Sequence, residues 1–240
     1  MNIIELEEVN STNLYAKENL NVLEDKTVII ANSQTNGRGR FDRKWVDLGE
    51  GNLFMTLVLK PSNTFKEVYA NLTQYLSVVL ANVLEEYGLS PKIKWPNDVM
   101  VNNGKIAGIL SETVMQGNNF KGLVLGIGVN LNADKSNLKQ IKERVATALN
   151  IELEREYVDK NLFTEKLLNE FFKNYEEFLK VGFSMVKEEY VRKCNFLGKE
   201  ISVQVFNSKK SGLAREINDN GELVLQNKNE EFILTMGDIL

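Results

Sequence analysis

The sequence predicts a mixed β-sheet carrying helices, followed by a small all-β barrel. Three observations predict it. Strand-like apolar runs recur up to Leu131 around one long helical stripe. Helical spacing then dominates from about residue 138 to 194. After Leu197-Gly198 the pattern changes to short alternating segments.

The elements follow in order. Residues 3–9 alternate as a strand, and Asn10-Ser11-Thr12-Asn13 offers N-caps for a short helix carrying Leu14, Tyr15 and Leu20. Val28-Ile29-Ile30-Ala31 reads as a buried strand. Residues 33–51 lose all periodicity to Gly, Arg, Asp, Asn and Lys, and a loop of that length in a compact domain is usually functional. Residues 52–59 are strand-like, and Phe65, Val68, Leu72, Leu76, Val79 and Val83 recur at helical spacing, with Gly88 and Pro91 beyond the end. Residues 92–95 with 98–101, 105–115 and 121–131 form a strand meander, joined by Asn103-Gly104 and Gly117-Asn118 turns. Leu162, Phe163, Leu167, Phe171, Phe172 and Tyr175 give the later helices an apolar stripe, broken at Gly182. Ile201-Val203-Val205, Leu223-Val224-Leu225 and Phe232-Ile233-Leu234, with an Asn220-Gly221 turn, make the barrel expected over residues 196–240. No repeat or low-complexity linker separates the two parts, so they are expected to pack closely.

Composition narrows the chemistry. Lys and Arg total 29 against 33 Asp and Glu, a formal net charge of −4, so no global basic field favours nucleic acid. Cys194 is the only cysteine and histidine is absent, which excludes a disulfide framework, Ser-His-Asp and Cys-His nucleophiles and His-based metal sites. Chemistry must run on carboxylates, Lys, Arg and backbone amides. Neither a signal peptide nor a membrane span is expected, and a cytoplasmic location follows.

Three stretches stand out. Residues 34–45 put Gly37 and Gly39, the cations Arg38, Arg40, Arg43 and Lys44, and the indole of Trp45 into a segment without helix or strand periodicity. Glycine amides and arginine forks suit an anion, and Trp45 offers a stacking surface; the plainer alternative is a solvated basic turn. Lys94-Trp95-Pro96-Asn97-Asp98 reads as a turn between strands, after which Lys105 opens the apolar run Ile106-Ala107-Gly108-Ile109-Leu110. Lys105 either points inward, needing an anionic partner, or is an ordinary edge lysine; glycine at 108 permits close approach of a ligand. Gly126-Ile127-Gly128-Val129-Asn130 places two glycines inside a strand, which marks a bulge or tight packing. The dinucleotide fingerprint fails at Leu131 and Asp42, and the phosphate-loop pattern fails after both Gly104-Lys105 and Gly198-Lys199.

Taken in order and spacing, Ser11-Thr12-Asn13, Gln34 with the Gly-Arg-Gly-Arg loop and Trp45, and the 94–98, 105–110 and 126–130 stretches resemble the bacterial biotin protein ligase family. The form resembled is the one without an N-terminal DNA-binding domain, because the Ser-Thr-Asn motif already occurs at residue 11. The likeness covers about residues 3–195 and continues more faintly beyond. It implies an α+β fold, with a mixed β-sheet catalytic domain flanked by helices over residues 1–195 and a small SH3-like β-barrel over 196–240. It implies activation of biotin by ATP to biotinyl-5′-adenylate, then transfer to a lysine of a biotin carboxyl carrier protein. Lys105, Arg38 and Arg40 are the implied catalytic residues. Biotin would be held by Ser11, Thr12, Asn13 and Gln34, by the Gly37-Arg38-Gly39-Arg40 loop, and by Lys105 and Gly108. Arg40, Arg43, Trp45, Asp98 and Asn130 would hold ATP. Mg2+ would be bound mainly through ATP, and no protein metal ligand is assigned. The resemblance implies no nucleic-acid or membrane partner and leaves a homodimer open.

Two departures from the family pattern occur. Asp42 stands where glycine is common, and the tail Met236-Gly237-Asp238-Ile239-Leu240 lacks the family's frequent C-terminal arginine, so no role is assigned to it. Three other readings rank lower. A lipoate ligase would lack the Gly-Arg-Gly-Arg and Lys-Trp-Pro-Asn-Asp segments. A biotin-sensing repressor needs a DNA-binding domain. A biotin acceptor needs a target lysine flanked by methionines, an arrangement that none of the six methionines supplies.

Overall fold

Seven strands form the first sheet: β1 (Ile3–Val9), β2 (Thr27–Gln34), β3 (Leu53–Leu59), β4 (Lys92–Lys94), β5 (Asp98–Val101), β6 (Gly104–Gln116) and β7 (Asn119–Val129). This computed structural model describes residues 2–139, 141, 145–228 and 230–240, and of Asp42 only the backbone. The strand order is β1-β2-β3-β7-β6-β5-β4. β1 and β2 are parallel and every other pairing is antiparallel, so the sheet is mixed. β4 to β7 form the expected meander.

β3 and β7 lie at the centre, and alternation sorts their side chains between two faces. Leu57, Leu123 and Leu125 join the main core, while Val58 and Val124 pack on the opposite face against Ala16 and Leu20. Ala16 belongs to α1 (Thr12–Glu18), so one short helix covers part of that second face. The main-core face is covered by α2 (Leu72–Glu86), on which α5 (Lys160–Val181) lies. Tyr75 of α2 stacks on Phe178 of α5 at 4.4 Å between ring centroids, and its hydroxyl donates to Phe171 O.

Helix extents differ from the sequence reading in two places. The stripe from Phe65 becomes helix only at Leu72, after a 3-10 turn at Glu67–Asn71; Phe65 instead sits edge-on to Tyr69 and Phe120. The stretch 138–194 is not continuously helical. α3 (Lys135–Leu138), α4 (Leu149–Glu152), α5 and α6 (Lys187–Lys193) are separate helices, the last two divided by Gly182 and a 3-10 turn at Phe183–Met185, and residues 140 and 142–144 lie outside the described ones. Around Ala146 the backbone pairs with β6 instead: Lys105 N donates to Val145 O and Thr147 N donates to Lys105 O. Asp159 starts α5 by accepting from the amides of Asn161 and Leu162.

The C-terminal part is a five-stranded antiparallel sheet of β8 (Glu200–Val205), β9 (Ser208–Ile217), β10 (Leu223–Gln226), β11 (Glu231–Leu234) and β12 (Asp238–Ile239), in the order β11-β10-β9-β8-β12. No pairing among the described residues closes it into a barrel. Its Val203, Ala214, Ile217 and Leu223 belong to the main core. Polar contacts fix the same junction. Gly221 O accepts from Gln74 Nε2 and Trp95 Nε1, Asn220 O accepts from Asn71 Nδ2, and Lys187 pairs with Asp219.

Phe178 is fully buried at the α2–α5 seam. Phe178→Ala should destabilise the protein by about 3–5 kcal/mol in urea unfolding; a loss below about 1 kcal/mol would mean that the seam is not a principal packing contact.

Candidate functional site

A hollow opens on the α1 face where β7 carries glycine at two successive positions of the same parity. A Cβ on Gly126 would collide with Asn13 Oδ1, and one on Gly128 with the Trp45 indole. The glycines therefore make room for two side chains that arrive from outside the sheet. Gly108 lies opposite Gly128 in register, and a Cβ there would come 2.9 Å from Trp45 and 3.0 Å from Lys105 Nζ. These residues line one cleft with about 1020 Å³ of empty space including its mouth, the size of a small-molecule site.

One end of the cleft is a neutral hydrogen-bonding floor. Gln34 Oε1 accepts from the Thr12 amide at 2.8 Å and the Thr12 hydroxyl at 3.3 Å. Thr56 Oγ1 lies 2.8 Å from Thr12 Oγ1 and 2.7 Å from Asn13 Oδ1, and it has one proton for the two. Asn13 Nδ2 donates to Leu110 O and to Glu112 Oε2, and Lys17 holds the other Glu112 oxygen at 2.8 Å. Burial pushes the Glu112 carboxyl up, but the hydrogen bonds from Lys17 and Asn13, with the nearby charges of Lys17 and Arg38, outweigh it and hold the group below the usual carboxylate range.

The other end is cationic. Lys105 points inward: its side chain is 17% exposed, its Nζ lies 2.6 Å from Asp98 Oδ1, and it sits 5.3 Å from the Trp45 ring centroid. The anionic partner that an inward Lys105 requires is thus Asp98. Asn97 bridges two segments, donating to Ile109 O and accepting from Arg40 Nη1 at 2.9 Å. The Gly-Arg loop is a tight turn. Arg38 and Lys44 form a backbone bridge, Gly39 N donates to Arg43 O, and Trp45 N donates to Gly37 O. The left-handed residue of this turn is Phe41 (φ 54°, ψ 44°), one position before Asp42.

The C-terminal sheet reaches into this loop. Asp238 is 2.8 Å from Arg43 and 3.6 Å from Arg40, and Gly237 O accepts from Arg40 at 3.1 Å. Asp238 lines the cleft, although the sequence reading assigned the tail no role.

Of the residues singled out in the sequence, Ser11, Thr12, Asn13, Gln34, Arg38, Gly39, Arg40, Arg43, Trp45, Asp98, Lys105, Gly108 and Asn130 all line the cleft. Gly37 is buried beneath it. Asn130 Nδ2 donates to Thr147 O at 3.0 Å, fastening the extended chain that brings Ala146 to the rim. Sequence reasoning missed Thr56, Glu112, Lys17 and Asp238. Glu112 follows Ser111 in a polar stretch of β6 and looks solvated, while Thr56 is hidden in an apolar strand. Burial pushes the Cys194 thiol up, so the lone cysteine is not activated. No group of three or more acidic or cysteine side chains converges to hold a metal among the described residues.

Fold and cleft together define a binding domain for a ligand with a neutral polar end and an anionic end. The Biotin/lipoate A/B protein ligase family matches residues 5–130, more than half of the 240, and the chain belongs to that family. It is 31% identical over 229 residues to the biotin–[acetyl-CoA-carboxylase] ligase of Paracoccus denitrificans, covering 92% of each chain. It is 29% identical over 201 residues to the bifunctional ligase/repressor BirA of Bacillus subtilis (strain 168), a match over 83% of this chain and 61% of that relative's length. The solved biotin protein ligase of Aquifex aeolicus in complex with biotin and ATP superposes with a TM-score of 0.82 at 27% identity, covering 100% of this chain and 97% of that one.

The hollow depends on the absent side chain at 128. Gly128→Val should displace Trp45, shifting its fluorescence to the red and making it accessible to iodide, against the constant signal of buried Trp95; unchanged emission would show that Trp45 does not occupy this slot.

Proposed function

We propose that this chain activates biotin with ATP to biotinyl-5′-adenylate and transfers the biotinyl group to a lysine of a biotin carboxyl carrier protein. The observation that carries this reading is the order of chemistry along β7. Asn13 and the neutral floor lie over Gly126, Trp45 and Lys105 lie near Gly128, and Asn130 follows, each step about 7 Å along the strand. The ring system of biotin matches the floor at Ser11, Thr12 and Gln34, its carboxylate matches the cations, and adenosine matches Trp45, Asn130 and Ala146.

The chemistry supports the same roles. A biotin carboxylate oxygen attacks the α-phosphorus of ATP and pyrophosphate leaves. Two anions must meet, and Lys105, Arg38 and Arg40 offset their repulsion as charge builds. The acceptor lysine amine then attacks the acyl carbonyl, and AMP leaves. Mg2+ would enter with the nucleotide phosphates and would supply neutralising charge for the departing pyrophosphate. No helix among the described residues is long and apolar enough to cross a membrane, and we assign the reaction to the cytoplasm.

Thermal shift tests the substrate. Biotin at about a hundredfold over its Kd should stabilise the protein by about 2.7 kcal/mol; stabilisation by lipoate and not by biotin would overturn the assignment.

Lys105→Met should slow single-turnover adenylation by about a hundred- to a thousandfold while biotin affinity changes little. It also removes the ammonium 2.6 Å from Asp98, which is 4% exposed, so the pair Lys105→Met with Asp98→Asn should recover stability without recovering rate. An unchanged rate would remove Lys105 from the mechanism.

Arg40→Gly loses the contacts to Asn97, Gly237 and Asp238 together with a fork for the intermediate's phosphate. The variant should still make adenylate but release it about ten- to a hundredfold faster, labelling lysines of bystander albumin. Bystander labelling equal to wild type at matched adenylation would contradict this.

A further inference from the structure

We propose that Glu112 is a positioning residue that sets, through Asn13 and Thr56, the hydrogen-bond polarity of Thr12, and so selects a ligand whose ring nitrogens carry hydrogen. The proposal rests on the biotin reading of the site.

The steps run from donor and acceptor chemistry alone. An ionised Glu112 only accepts, and so does Leu110 O. Both lie at hydrogen-bond distance from one end of the Asn13 amide, at 3.0 and 3.1 Å, so that end is Nδ2. The Asn13 oxygen is thereby turned to Thr56, 2.7 Å away. Thr56 then spends its single proton on Asn13, and the lone pairs of Thr12 Oγ1, 2.8 Å further on, stay available. The proton of Thr12 has an internal acceptor, Gln34 Oε1, at 3.3 Å. Thr12 therefore meets the cavity as an acceptor. Gln34, which lines the cavity, has its amide N–H groups left to give, because the Thr12 amide already takes its Oε1.

An acceptor beside a donor complements the N–H and C=O of a cyclic urea. Were the Asn13 amide reversed, Nδ2 would donate to Thr56 and drive the Thr56 proton onto Thr12, taking one of its two lone pairs and leaving a single one for the ligand N–H. Glu112 prevents the reversal because a carboxylate cannot donate to Asn13 Oδ1. Lys17 on its second oxygen keeps it ionised. Gly126 completes the device, since a side chain there would fill the place of the Asn13 oxygen.

Glu112→Gln keeps the shape but can donate as well as accept, so it permits both Asn13 orientations. The probes are biotin and its two cyclic carbamate analogues, in each of which oxygen replaces one ring N–H. A site built around an N–H rejects an analogue lacking it strongly, by well over about a hundredfold. Isothermal titration should show that wild type prefers biotin over at least one carbamate by such a factor. In Glu112→Gln that ratio should fall at least tenfold, with the KM for ATP unchanged. Thr56→Val leaves no proton to pass to Thr12, so it should preserve the ratio alone and restore it when added to Glu112→Gln; loss of the ratio in Thr56→Val alone would overturn the relay, which keeps it testable should Glu112→Gln fold poorly. A merely structural Glu112 would weaken biotin and carbamate equally, and an unchanged ratio in Glu112→Gln overturns the proposal. Wild type without affinity for biotin overturns the reading of the site itself, and the proposal with it.

Discussion

Two missing side chains on the central strand β7 govern this molecule. Elsewhere on the α1 face the sheet is closed by apolar packing: Val58 and Val124 meet Ala16 and Leu20 and leave no space. Two residues further along β7 the same parity carries hydrogen instead of a side chain. Asn13 can then reach across to β6, and the Trp45 indole can lie on the strand itself. Every later feature of the cleft hangs on these approaches. The hydrogen-bonded floor needs Asn13 between Thr56 and Glu112, and the cationic end needs Trp45 beneath Lys105. Strain plays no part, since the requirement is room.

The cations are held in waiting by carboxylates of the protein. Lys105 leans on Asp98, Arg43 and Arg40 on Asp238, and Lys17 on Glu112. Buried pairs of this kind add little net stability, because desolvation offsets attraction. They do fix geometry, and they lower the cost of keeping positive charge in a cleft before an anion arrives. Asp238 adds a mechanical consequence. It belongs to β12, paired to β8 of the C-terminal sheet, yet it grips the loop after β2. Anything that moves the second sheet also moves the arginines, and the Gly221 anchorage to Gln74 and Trp95 holds that sheet in place.

Periodicity was legible where burial is one-sided. The alternation of residues 3–9 and the stripe on α5 read directly as β1 and a helix, because each buries a single face. β9 was not legible: Ser-Lys-Lys-Ser-Gly-Leu-Ala-Arg-Glu-Ile shows little apolar alternation, and its register is imposed by β8 and β10. The chain around Ala146 looked helical for a related reason, since its pairing with Lys105 is tertiary and leaves no local signature. At the site, glycine and arginine clustering disclosed the loop because such a composition is rare without an anion to bind. Asp238 escaped notice because its partners lie nearly two hundred residues away, and the orientation of Lys105 was undecided until Asp98 appeared beside it.

The central claim is that one cleft joins a carboxylate to the α-phosphate of ATP. It is tested most directly by incubating the protein with biotin, ATP and magnesium, with and without a biotin carboxyl carrier domain, while following pyrophosphate and the mass of the acceptor. The account predicts a stoichiometric burst of pyrophosphate that requires biotin, continued turnover once the carrier is added, and a biotinyl mass increment on a single carrier lysine. Pyrophosphate release that ignores biotin, or follows lipoate in its place, would contradict it.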